Sequence, residues 1–295
     1  MDQLSGLLKE AEEIRAWTKS APEPSSFRNN NEFMQYTVEL MNRTLYLLRV
    51  GPQLAPTQDV ALKGFTKRRA IVVGHMVRIA KLYEGSLMHI CAKQLELAAV
   101  FNRLIIETAV RVEYLIKAKR SSFRSFVLTS YKPEKEILAH LKAEAAQRQL
   151  AQYERRIRRK IKSRMRRDGI SEVELMGTRN WRLDGKDFRR ILEDTKRDVP
   201  YSYAFGSQSH FVHGDWAELS VYHLTKHNGY YKPHLDYDEP DPRLACAVTT
   251  VCLSTLFHFL KWNKSDKDDY LRPIILGLLE LNRHIDLAHE DTLGP

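Results

Sequence analysis

The sequence predicts an all-α fold, a helical bundle with an elongated helical extension. Three observations support this prediction. The chain has only 13 glycines and 11 prolines in 295 residues, so few of its elements are interrupted. Apolar residues recur at three- and four-residue steps over long segments, which is the period of a helix face. No segment shows a sustained alternation of apolar and polar residues, so we expect no strands.

The N-terminal half predicts four helices. An amphipathic helix is expected over residues 2–19 and a second one over about 31–50, where apolar side chains line one face. The segment GPQLAPT then interrupts the pattern. Two long helices follow, over about 59–93 and 94–120.

The C-terminal half predicts one very long helix. Pro133 stands at a position where proline favours a helix start, and Asp168–Gly169 is a common C-terminal signal. We therefore expect a long helical arm over residues 133–168. The remaining expected elements are a short helix at 186–196, an irregular segment at 217–237, and helices over about 240–263 and 266–289. As domains, we expect an N-terminal helical addition at 1–55 and a main helical domain at 56–295 that includes the arm.

Cysteine usage and hydropathy favour a cytoplasmic protein. The three cysteines, Cys91, Cys246 and Cys252, fit neither a disulfide framework nor CxxC zinc spacing, and we expect them to be small core residues in a reducing compartment. The N-terminus carries acids and has no apolar run of signal-peptide length. The segment 244–260 lacks formal charge but is short for a membrane span, so we expect a buried core helix and no membrane partner.

The net charge of +10 is concentrated in one place. Ten Lys or Arg residues and a single acid, Glu154, lie between residues 148 and 167, which leaves the rest of the chain close to neutral. Such a basic helix favours RNA or another nucleic acid as partner. The expected nucleic-acid contacts are Arg155, Arg156, Arg158, Arg159, Lys160, Lys162, Arg166 and Arg167. The alternatives are an acidic protein partner or an anionic membrane surface. We expect Trp181 and Trp216 to pack rather than to stack on bases.

The central helix around NRLIIETAVRVEYLIK carries a first candidate group. Apolar side chains cover most of its circumference, while Arg103, Glu107, Arg111 and Tyr114 share one narrow sector. This sector faces either water, where an i,i+4 ion pair contributes little, or an internal cleft in which it orients a binding or catalytic group.

The stretch SQSHFVHGDW carries the second candidate group. On a helix, Tyr203, Ser207 and His210 lie on one side and His213 lies on their flank. Histidine transfers protons near neutral pH, and metal-independent RNA cleavage needs a base, an acid and a positive charge. The alternative is a pair of histidines at a helix C-terminus, where the helix dipole favours a cation.

These features together resemble a HEPN-like family (higher eukaryotes and prokaryotes nucleotide-binding), in particular prokaryotic proteins of a domain-of-unknown-function group. The resemblance is carried by the Arg-x3-Glu of the central helix, the Trp-x3-Gly-Lys turn at 181–186 and the Tyr-x3-Ser-x5-His-Gly ending at 203–214. It covers about residues 60–260. It implies a helical bundle that commonly dimerises, and an RNase of the toxin or antiphage-defence type.

The resemblance places the family histidine at His213. The family places an arginine before this histidine with four to six residues between them, and that arginine is missing here, because the corresponding positions are Gly206, Ser207 and Gln208. Under the RNase hypothesis His213 is the principal base, His210 and Ser207 are auxiliaries, and Arg103 with Glu107 supplies the positive charge. No cofactor is expected.

Two alternatives stay open beside the RNase hypothesis. The first is a non-catalytic module that binds nucleic acid or protein. The second is a metal-dependent activity, because five of the eleven histidines lie between residues 210 and 234, with Asp215, Asp236 and Asp238 beside them. The sequence has no P-loop, dinucleotide fingerprint or GxSxG elbow, which argues against most common enzyme classes.

Overall fold

The structure, a computed structural model, describes residues 2–57, 60, 63–196, 207–265 and 268–293, with the side chains of 2–8, 207, 208, 268 and 293 left out. This part of the chain is almost entirely helical, so the predicted all-α class is confirmed. The helices described are α1 (Asp2–Ser20), α2 (Asn30–Val50), α3 (Lys67–Cys91), α4 (Leu95–Lys117), α5 (Arg120–Thr129), α6 (Lys132–Gln147), α7 (Gln152–Asp168), α8 (Glu172–Gly177), α9 (Phe188–Thr195), α10 (Ser207–His213), α11 (Trp216–Glu218), α12 (Pro242–Asn263) and α13 (Asp268–Leu293).

The chain divides into two units, residues 1–116 with 195–295, and residues 117–194. In the first unit α2 packs against α3 and α12, and α13 packs against α1, α2 and α12. The two N-terminal helices are therefore part of this bundle. The boundary expected at residue 55 does not coincide with a boundary between the units.

The uncharged segment 244–260 lies in α12. Among the described helices α12 is the one long and apolar enough to cross a membrane. It packs between α2 and α13 and buries Cys246, Cys252 and Phe259, as a core helix does. Cys91 differs from the other two cysteines, because it is the last residue of α3 and is exposed. The expectation that all three cysteines are core residues is therefore wrong for Cys91.

The second unit corrects the prediction of one continuous helix over 133–168. The segment forms two helices, α6 and α7, because the backbone at Arg148 is extended (φ −153°, ψ 164°). The Arg148 guanidinium donates to both carboxylate oxygens of buried Glu154, at 2.8 and 2.7 Å, and to Glu144 at 2.8 Å. No glycine or proline marks this break. The break is held by the ion pairs of Arg148, although arginine by itself favours a helix.

The helices α6 and α7 run antiparallel. At the start of α6, Tyr131 donates to Asp168 Oδ2 at 2.6 Å and Glu134 pairs with Arg164 at 2.9 Å, and both partners lie in the last turns of α7. The segment is therefore a helical hairpin that is tied at both ends, not a single projecting arm.

Residues 224–233 correct the expectation that the chain has no strands. β1 (Leu224–His227) pairs antiparallel with β2 (Tyr230–Pro233). The turn residues Asn228 and Gly229 have φ of 49° and 83°, as a two-residue type I′ hairpin turn requires. The segment 217–237 is thus not irregular, because a π-helical turn (Leu219–His223) leads directly into this hairpin.

The corner between α6 and α7 predicts a pH dependence of stability. Hydrogen bonds from Arg148 and from the backbone N–H of Ala151 lower the pKa of Glu154 from 4.5 to about 2. Because the pKa is lowered on folding, the stabilisation is complete above the unfolded pKa and is lost as the pH falls from there towards 2.

We therefore expect Glu154→Gln to lower the free energy of unfolding at about pH 6 and to have a much smaller effect near pH 3. Urea unfolding followed by circular dichroism at both pH values measures this difference. Glu136→Gln, an exposed acid of α6, is the matched control. An effect of Glu154→Gln that is equal at the two pH values contradicts the assignment.

Candidate active site

The candidate site begins with the pair of His210 and Asp215. Gly214, at φ 59°, ends α10, and Asp215 then caps the N-terminus of α11. One carboxylate oxygen, Oδ1, accepts from the backbone N–H of Ala217 at 3.0 Å and of Glu218 at 3.3 Å. The other, Oδ2, lies 2.5 Å from Nδ1 of His210. One side chain therefore both starts α11 and holds the imidazole.

This contact sets the hydrogen-bond roles of both groups. The hydrogen bond from His210 lowers the pKa of Asp215, so the carboxylate is ionised and can only accept. Nδ1 of His210 is therefore the donor in this contact, which leaves Nε2 as the second ring nitrogen. The side chains of both residues are half exposed.

His213, the expected principal base, is the last residue of α10, one turn after His210. It is exposed, and within the described residues it has no hydrogen-bond partner. The side chain of Ser207 and the whole of Tyr203 and Gly206 lie outside the described residues. The structure therefore brings together two of the expected site residues, His210 and His213, on one helix.

A second histidine–carboxylate pair follows in the same segment. Nε2 of His223 lies 2.7 Å from Oε1 of Glu218, which is buried. The backbone oxygen of His223 also accepts from the N–H of His234, at 2.9 Å. This pair attaches the π-helical turn to α11.

Arg103 and Glu107 form the expected pair on α4. Arg103 is only 8% exposed, and its guanidinium lies 3.5 Å from Glu107, which also contacts Arg111 at 3.6 Å. Of the same sector, Tyr114 is buried as well. The polar sector of α4 therefore faces protein at Arg103 and Tyr114, and water at Arg111.

The segment that follows the histidines contacts the beginning of α4, where Leu95 donates its N–H to the backbone oxygen of Asp238 at 2.9 Å. Arg103 lies about 12 Å further along the helix axis. A catalytic role for Arg103, Glu107 and Ser207 thus stays a prediction.

The described residues contain no group of three or more His, Cys, Asp or Glu side chains that could hold a metal ion. Of the histidines between 210 and 234, His210 and His223 contact carboxylates, His227 contacts the side-chain amide of Asn228, and His234 contacts the backbone oxygen of Tyr222. An open cavity of about 400 Å³ lies between α2 and α3, and neither histidine pair lines it.

The second unit carries a separate candidate surface on α7. Glu154, Ile161 and Met165 form its buried side. We call the opposite side of α7 the basic face. It spans a sector of about 140° around the helix and about 18 Å along it. Its exposed members are Arg155, Arg156, Arg159, Lys160, Arg166 and Arg167.

Few of these charges are neutralised. Within the described residues the members of the basic face form no ion pair with an acid, and Arg155 donates to the backbone oxygen of Leu150 at 3.0 Å. Two of the other expected contact residues lie at the margin of the face. Lys162 pairs with Glu172 at 2.7 Å and lowers the pKa of that carboxylate, and the charge of Arg158 lowers it further, whereas burial raises it.

Sequence reasoning missed the contacts that Asp215 makes with His210 and with the start of α11. It was expected only as a possible metal ligand, and Glu218 was not singled out. The available signal was the pair Gly214–Asp215 after a short helix, because a glycine commonly ends one helix and an aspartate commonly caps the start of the next. Nothing in the periodicity indicates that the second carboxylate oxygen returns to His210.

A family model described as "Family of unknown function (DUF5677)" matches residues 69–231, more than half of the chain. The match includes the whole second unit and both histidine–carboxylate pairs, and it ends at Tyr231 in β2. No curated protein and no solved structure matches the chain.

The double role of Asp215 predicts separable effects of two substitutions. Asp215→Ala removes both the cap and the partner of His210, so amide hydrogen exchange at Ala217 and Glu218 should become about fivefold faster or more. Asp215→Asn keeps a capping oxygen and should leave this exchange slow. The exchange rates are measured by NMR, with Asp236→Ala as an exposed control. Unchanged rates in Asp215→Ala contradict the capping role.

Proposed function

Because the chain belongs to DUF5677, a family of unknown function, its activity has to be argued from its own residues, and we propose that it is a metal-independent ribonuclease. The observation that carries the proposal is the accessible His210 imidazole, held at Nδ1 by Asp215 and followed one turn later by His213. The resemblance to HEPN-like ribonucleases supports it, and suggests a toxin or defence role and a dimer.

The proposed reaction uses the two histidines as base and acid. Nε2 of His210 takes the proton of a ribose 2′-hydroxyl, and the 2′-oxygen forms a bond to the adjacent phosphorus. The bond from phosphorus to the 5′-oxygen breaks, and protonated His213 donates its proton to that oxygen. The products are a 2′,3′-cyclic phosphate and a 5′-hydroxyl. In this scheme His210 replaces His213 as the principal base, because Asp215 fixes its tautomer.

The test is cleavage of single-stranded RNA in the presence of a chelator. The wild type should cleave, His210→Ala and His213→Ala should lose about 100-fold or more of the rate, and Asp215→Asn should lose less. His140→Ala, an exposed histidine of α6, should keep the full rate. The proposal fails if the wild type is inactive or if His210→Ala cleaves as fast as the wild type.

The basic face of α7 favours a second candidate function, non-catalytic binding of nucleic acid. Six exposed cations along about 18 Å of helix approach the phosphate spacing of one nucleic-acid strand, about 3.4 Å. Binding through such a surface releases counterions, so the affinity falls steeply with salt.

For this candidate we expect the triple variant Arg156→Gln, Arg159→Gln and Lys160→Gln to reduce the slope of log affinity against log salt by about 2 to 3. Fluorescence anisotropy with labelled RNA over a salt series measures the slope. The control changes the same charge elsewhere, with Lys9→Gln, Lys19→Gln and Lys261→Gln. Equal slopes for the two triple variants rule out the basic face as the binding surface.

A further inference from the structure

Exposed apolar side chains concentrate in one short segment of the first unit. Of the sixteen large hydrophobic residues that are exposed in the described chain, eight lie between residues 212 and 237. Four of the five exposed aromatic residues are among them, namely Trp216, Tyr230, Tyr231 and Tyr237. Trp216, which was expected to pack rather than to stack on bases, is 59% exposed.

Two of these side chains and one lysine are arranged around the hairpin. Tyr231 in β2 lies opposite Lys226 in β1, and the Lys226 ammonium lies 5.9 Å from the centre of the Tyr231 ring. The ring of Trp216 meets that of Tyr231 edge to face, with centroids 5.3 Å apart and planes at 78°. An edge-to-face pair leaves aromatic surface uncovered, and here that surface is next to a cation.

The hairpin itself carries positive charge. No Asp or Glu occurs between residues 219 and 235, whereas Lys226 and Lys232 lie on the two strands. Lys232, opposite Thr225, is exposed on the other face of the hairpin from Lys226 and Tyr231. Of the acids that follow residue 235, Glu239 forms an ion pair with Lys93 at 2.8 Å. A hairpin with open rings and lysines fits a ligand that has flat apolar rings and negative charge.

Unpaired nucleotides have this chemistry. Proteins that bind single strands stack bases on aromatic side chains and follow the phosphates with cations, whereas a duplex keeps its bases stacked on one another. The cluster is also joined to the histidines, because Trp216 directly follows Asp215, whose carboxylate holds His210.

We propose that Trp216, Tyr231 and Lys226 form a stacking platform for an unpaired base of RNA next to the His210–Asp215 pair. This inference rests on the proposed ribonuclease function and names its substrate class, single-stranded RNA. The base stacks on the open aromatic surface, Lys226 contacts an adjacent phosphate, and the neighbouring ribose is thereby directed towards His210.

The test measures binding separately from cleavage. The probes are a short unstructured RNA with 2′-O-methyl riboses, which has no free 2′-hydroxyl to attack, and the same strand in a duplex. The full-length wild type should prefer the single strand. Trp216→Ala should weaken single-strand binding about 5- to 100-fold and leave duplex binding unchanged. Trp216→Phe, which keeps an aromatic face, should restore most of the affinity.

The matched control is Tyr237→Ala, an aromatic residue of the same segment that is 49% exposed and has no ring partner among the described side chains. The proposal is overturned if Trp216→Ala binds the single strand as the wild type does, or if Tyr237→Ala causes the same loss. A changed oligomeric state of Trp216→Ala with unchanged RNA binding also overturns it and assigns the cluster to a protein contact.

The two proposals fail in different ways. If Trp216→Ala loses single-strand binding while the wild type leaves unmodified RNA intact, the platform is supported and the ribonuclease assignment fails. If the wild type cleaves RNA and Trp216→Ala binds and cleaves equally well, the ribonuclease stands and the platform is overturned.

Discussion

The candidate site depends on the hydrogen bonds that the carboxylate of Asp215 accepts. Its two oxygens perform different tasks, since Oδ1 caps α11 and Oδ2 holds the imidazole of His210. A helix N-terminus offers unsatisfied N–H groups that an acid stabilises, and an ionised acid in turn fixes the tautomer of a histidine. Helix start, ring orientation and proton location at His210 are thus set by one side chain.

The basic face of α7 depends on where the acids of the second unit lie. Arg148, Lys162 and Arg164 are each paired with a glutamate, and these pairs hold α7 against its surroundings. Three glutamates of this unit are therefore placed where α7 packs. The described residues on the opposite side of the helix form no ion pair with an acid, and Ser163 rather than an acid lies among them.

Sequence reasoning recovered the features that repeat along the chain and missed those that depend on a single contact. The core helix α12 was evident from a long uncharged segment, and α4 from its wide apolar surface. The break at Arg148 was missed because its cause, a bidentate contact with Glu154, has no periodic signature. The hairpin was missed although Asn228–Gly229 is a strong turn signal, because its strands have only four residues each.

The contacts of the histidine segment explain how a site can be built at the edge of a bundle. His210 reaches Asp215 and His223 reaches Glu218, each over five residues, and the hairpin closes over a two-residue turn. These contacts are local in sequence, so they form without rearranging the core. Buried groups such as Glu113, which contacts His258 at 3.3 Å, tie α4 to α12 and serve the bundle instead. Under the ribonuclease proposal, substitutions at His210 and His213 therefore report on chemistry more directly than substitutions at buried groups such as Glu113.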